Sequence, residues 1–128
     1  MKQIVVLTIT SLLSILLMTL HLADDIVRGF ERPVSSLFAV PILVIWLYGT
    51  LVLAERRSGY VILLLGSLGG TLAPIIHFRA MGGAFGGEIA RSSGGLFFVW
   101  TLVALGVTAL FSLVLSVRGL WLWRDQAR

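Results

Sequence analysis

Four apolar runs, none interrupted by Asp, Glu, Lys or Arg, decide what this chain can fold into. They extend from Ile4 to Ala23, from Val34 to Ala54, from Tyr60 to Ile76 and from Leu96 to Val117. Crossing about 30 Å of hydrocarbon takes roughly 20 helical residues, with a range of about 17–25. All four runs fit, the third being the shortest. An open strand would leave backbone groups unpaired in lipid, so each run is expected to be a helix. The expected fold is an all-α polytopic membrane protein. It is a four-transmembrane-helix bundle in antiparallel up-down order, one domain over residues 1–128, with both termini on the same side.

Composition agrees. Apolar residues make up 58% of the 128 and charged residues 12%, against about 45–50% and 25% in an average soluble domain. Cysteine is absent. That excludes disulfides, thiolate metal sites, cysteine nucleophiles and the thiol–disulfide enzymes of the bilayer. Lys2 followed by an apolar run resembles a secretory leader. The run is too long for one, and cleavage after Ala23 would put His21 where a small residue is wanted. The first run is therefore read as a retained span.

The connections carry helix punctuation. Gly29 suits a left-handed C-terminal cap after the first span. Pro33 suits the first turn of the second. Ser58 is the expected N-cap of the third, after a short linker that makes the second and third helices antiparallel neighbours. The connection from His77 to Gly95 is long and glycine-rich, and Glu88–Arg91 within it has the pattern of one helical turn. Structureless loops beyond about 12–15 residues are uncommon, so this one is a candidate lid.

Charge sets the expected orientation. Alternating the span ends places Lys2, Arg56, Arg57, Arg118, Arg124 and Arg128 with Glu55 and Asp125 on one side. The other side holds Arg28, Arg32, Arg79 and Arg91 with Asp24, Asp25, Glu31 and Glu88. The side richer in Lys and Arg is normally cytoplasmic, so both termini are expected there, in a bacterial plasma (inner) membrane. The net charge of +4 is then a topology signal facing anionic headgroups, and no nucleic-acid partner is expected. Tyr60, Trp121 and Trp123 fall near the inner interface, and Phe97, Phe98 and Trp100 near the outer one.

Helices in lipid associate by close packing and polar contacts. Gly66 and Gly70 form a small-xxx-small pair, which places the third helix between two neighbours. The same face could take a partner helix in a homo- or hetero-oligomer. Pro74 and Pro41 are candidate bends. Trp46 and Tyr48 are expected to fill helix contacts, the sharper reading being that Trp46 lines a ligand pocket.

One polar constellation carries whatever chemistry the chain has. His21 and His77, the two histidines of the chain, end the first and third spans on the same side. If the first helix continues, Asp24 and Asp25 follow on the side of His21, and Arg28 lies four residues beyond Asp24. Glu88 could reach this site from the loop. In the plainest reading the carboxylates pair with Arg28 and the histidines sit wet at the interface. In the second, His21, Asp24, Asp25 and His77 bind a transition metal such as zinc, copper or iron. In the third, the two imidazoles are axial ligands of a haem. The spacing matches no established metal motif. The glycine-rich segment lacks the lysine and hydroxyl of a phosphate loop, and no Gly-x-Ser-x-Gly elbow occurs. With no charge deep in any span, a cation-coupled transporter is disfavoured, and the embedded glutamate of the small multidrug transporters has no counterpart. Three functions remain: a non-enzymatic binding or accessory subunit, a metal- or haem-dependent protein or enzyme working at the outer face, and a carrier for a neutral or lipid-like molecule.

Overall fold

The computed structural model describes residues 2–30, 37–80 and 92–126. Its regular structure is entirely helical: α1 (Lys2–Arg28), α2 (Ala39–Leu51), α3 (Arg57–Ala80) and α4 (Gly95–Gln126). Three of them, α1, α3 and α4, are long and apolar enough to cross a membrane. These helices fit an integral membrane protein. The α2 helix is apolar but has 13 residues, about 20 Å of helix at 1.5 Å per residue.

Several boundaries differ from the apolar runs. Both α1 and α3 continue past them, so Asp24, Asp25 and His77 are helical. The α2 helix is shorter than the 34–54 run. It stops at Leu51, and residues 52–56 turn, with Arg56 N donating to the Leu53 carbonyl at 2.8 Å. Pro33 lies outside the described residues. Ser58 sits inside the first turn of α3 rather than capping it, because Tyr60 N already donates to the Arg56 carbonyl at 3.2 Å. Pro41 falls in the first turn of α2, where an N–H has no intrahelical acceptor. No bend is needed there. Pro74 is internal to α3 and packs on Gly106, where an added Cβ would come within 2.9 Å of its ring.

The end of α1 is fixed by local chemistry. Gly29 adopts φ +74°, open to glycine at no steric cost. Gly29 N donates to the Ile26 carbonyl at 3.1 Å and Phe30 N to the Asp25 carbonyl at 2.9 Å. This double bond pattern is a Schellman cap, and it pins the backbone of Asp25 at a defined height.

The α4 helix runs antiparallel to both α1 and α3. Gln3 Nε2 donates to the Leu115 carbonyl (3.3 Å), Ser14 to Thr108 (3.1 Å), and the His21 ring meets Phe98, so α4 descends along α1 as α1 rises. Along α3, α4 places Ala109 and Leu105 beside Gly70, and Gly119 under the Tyr60 ring. Trp46 of α2 lies flat against Gly66, and Ser11 and Thr50 pair at 2.8 Å between α1 and α2. The interior is filled by Leu7, Leu63, Leu102 and Leu105, all fully buried. Many large apolar side chains, among them Val27, Phe111 and Trp121, stay exposed. That is the surface a chain presents when lipid is its solvent. Trp46 Nε1 is buried without an acceptor, and nothing in the structure explains it.

Candidate metal centre

His21 and Asp25 lie one turn apart on α1, which stacks them on one face. Their side chains are almost wholly buried, with relative exposures of 1% and 2%. The side chain of His77, from α3, closes the group at 24% exposure. The two imidazoles meet edge to face with centroids 4.5 Å apart. The Nε2 atoms of His21 and His77 each stand 3.3 Å from the same carboxylate oxygen, Asp25 Oδ2. One ligand atom from each of the three residues lies within 4.8 Å of the others.

Both ring nitrogens of His21 and Oδ1 of Asp25 are buried with no hydrogen-bond partner. Such groups cost free energy unless something satisfies them. His77 Nδ1 lies 2.9 Å from the Ala73 carbonyl. A carbonyl only accepts, so Nδ1 carries a hydrogen. The neutral ring then turns an Nε2 lone pair toward the Asp25 carboxylate, and two acceptors face each other at 3.3 Å. A cation between them, or a second proton on His77, removes the conflict. A backbone carbonyl behind a ligating imidazole is the usual outer partner that fixes its tautomer and aim.

Asp24, also expected among the ligands, turns away. Its carboxylate takes the Arg28 Nε hydrogen at 2.9 Å, four residues on. At 100° per residue Asp24 and Asp25 flank His21 at about 60° and about 40° on opposite sides. Only the second side faces α3. Arg28 then clamps the start of α4, donating to Ser92 Oγ (2.9 Å) and the Ser93 carbonyl (3.2 Å). Glu88 lies outside the described residues.

Phe98, expected near the outer end of the fourth span, lies in the first turn of α4 and faces inward, 1% exposed; its facing is what the sequence did not show. Its ring stands 5.2 Å from His21, 6.1 Å from His77 and 6.2 Å from Phe30, with the Arg28 guanidinium 5.5 Å over its face. It forms an apolar wall between the Arg28 clamp and the imidazoles. The available signal was helical spacing: Thr101, Leu102 and Leu105, three, four and seven residues on, are buried on the same face, whereas Trp100 is exposed.

Two apolar clefts of about 240 and about 200 Å³ flank Trp46, both also lined by Ile42, Leu65 and Gly66. They contain no titratable side chain. Comparison with protein-family models, with curated proteins and with solved structures gives no match for this chain.

Proposed function

We propose that this chain is a small integral membrane protein that binds one transition-metal ion near a membrane face through His21, Asp25 and His77. The observation that carries the reading is the convergence of three ligand-type side chains, two of which, His21 and Asp25, hold buried polar atoms with no hydrogen-bond partner. Distances support it. Tetrahedral bonds of about 2.0–2.1 Å put neighbouring donor atoms roughly 3.3 Å apart, the separation found between Asp25 Oδ2 and each Nε2. Rings already in edge contact leave no slot for a porphyrin, so a single ion fits better than haem. The accessory-subunit reading loses its motive, because Trp46 and Ala109 fill the Gly66 and Gly70 positions from within. A carrier is disfavoured by the leucine-filled interior.

In this reading the chain crosses four times, with its basic end in the cytoplasm. Support comes from the contact of His21 with His77, which sets the C-terminal ends of α1 and α3 side by side. The short α2, which packs on α1 through Thr50 and on α3 through Trp46, is then the return crossing in this reading.

The test is elemental analysis and an absorption spectrum of protein purified in detergent without a polyhistidine tag. One transition-metal ion per chain and no porphyrin band are expected, with the ion lost in His21→Ala and in His77→Ala. A metal content indifferent to both substitutions would sink the proposal, as would a haem spectrum.

A further inference from the structure

We infer that the ion held by His21, Asp25 and His77 is tetrahedral and takes as its fourth ligand an exchangeable anion from outside the chain, a hydroxide or a small oxyanion. The inference rests on the metal reading above and adds what the site recognises. Three donor side chains converge among the described residues, two neutral imidazoles and one carboxylate. Three protein ligands leave one tetrahedral position open, the pattern of sites whose ion does more than hold the fold.

Charge decides what enters that position. A divalent ion with one carboxylate retains a net charge of +1. The surroundings cannot spread it: Asp25 and His21 are 98–99% enclosed and the Phe98 ring lines one side. An uncompensated charge so placed is costly. Among the described residues the neighbouring carboxylate, Asp24, is committed to Arg28 at 2.9 Å, so that pair is neutral as a unit. The site is therefore one negative charge short, and a fourth ligand carrying it is favoured over a neutral one. His77, the most exposed of the three residues, marks the side on which that ligand exchanges.

Co²⁺ reads both parts of the inference. Metal-free protein in phospholipid-free detergent is titrated with Co²⁺, then with azide and with inorganic phosphate. The expected result is an intense tetrahedral visible band that saturates at one ion per chain and shifts when azide or phosphate is added. Micelles containing phosphatidic acid form a separate arm. A shift with phosphatidic acid assigns the oxyanion to a lipid headgroup, and a shift with inorganic phosphate alone assigns it to a free anion. Two variants test the charge argument. Asp24→Asn leaves Arg28 unpaired and adds positive charge, so azide should bind on the order of tenfold more tightly. Arg28→Gln leaves the Asp24 carboxylate unpaired, so azide should bind on the order of tenfold more weakly. Mere disruption of the ion pair would move both variants in the same direction and overturn the electrostatic account. A weak octahedral spectrum, or a tetrahedral one that ignores every anion, overturns the open position. Failure to bind Co²⁺ at all overturns the metal reading itself.

Discussion

Polar side chains are buried at two levels of this molecule, and the two levels treat them differently. Midway along the helices the polar groups are hydroxyls. Thr108 donates to the Ala104 carbonyl one turn back, Ser14 shares its one hydroxyl hydrogen between the Thr10 carbonyl and Thr108 on the neighbouring helix, and Ser11 reaches Thr50. Ser67, Ser112 and Ser116 have no partner in the structure, but a hydroxyl rotates freely onto the carbonyl one turn back. At the histidine end the groups are an imidazole and a carboxylate, and neither has that escape. A carboxylate has no hydrogen to donate, and neither ring nitrogen of His21 makes a hydrogen bond. Hydroxyls at mid-depth hold helices together, whereas the cluster at the end is where we propose a ligand.

The sharpest way to break this contrast is to delete a charge from the cluster. Asp25→Asn should weaken metal binding by more than about 100-fold, since outer partners of ligands alone are worth 10–100-fold. Ser14→Ala should leave metal affinity unchanged. Isothermal titration of both variants decides. Lowering the pH should act like the substitution, because an ion binds only to deprotonated imidazole. Affinity is thus full at alkaline pH and is lost as pH falls through the histidine range. An affinity flat across that range would put the ion elsewhere.

How much of this was legible beforehand follows from what a membrane helix hides. The helices themselves could be read, because a charge-free run of that length has few other outcomes. So could the shared depth of His21 and His77 and the turn at Gly29. Helix phase could not. When lipid is on the outside, a helix is apolar all round and its periodicity carries little information about facing. That is why the inward facing of Phe98 beside the exposed Phe97 could not be read. It is also why Asp24 and Asp25 could not be told apart, since the choice depends on where α3 lies.

Close packing at mid-depth gives the next largest effect. A Cβ at Gly70 would stand 2.9 Å from that of Ala109, with Leu105 and the Trp46 ring tip both at 3.4 Å. Gly70→Leu should therefore destabilise the fold by about 1–3 kcal/mol through overpacking, seen as a lower thermal midpoint in detergent. Metal affinity in the molecules that remain folded should not move. A smaller effect, of the opposite kind, is expected at Phe98. Phe98→Leu keeps an apolar wall but loosens the imidazoles, and should cost on the order of tenfold in metal affinity. If Gly70→Leu weakened the metal more than Phe98→Leu, the two levels would not be separable.

Ser11→Ala should have the smallest effect. Thr50 donates its single hydroxyl hydrogen to the Trp46 carbonyl at 2.8 Å, so in the 2.8 Å contact between Ser11 and Thr50 the donor is Ser11. Removing the serine hydroxyl deletes that donor and strands no hydrogen, because Thr50 keeps its own bond. The loss is then one interhelical hydrogen bond in lipid, about 0.6 kcal/mol on average. Thr50→Val takes away the acceptor instead, and the freed Ser11 hydroxyl can turn to the carbonyl of Leu7, so its cost should be similarly small. A loss of several kcal/mol for either variant, measured by equilibrium unfolding in detergent, would show that the mid-depth hydroxyls depend on one another as strictly as the histidine cluster depends on the ligand proposed for it.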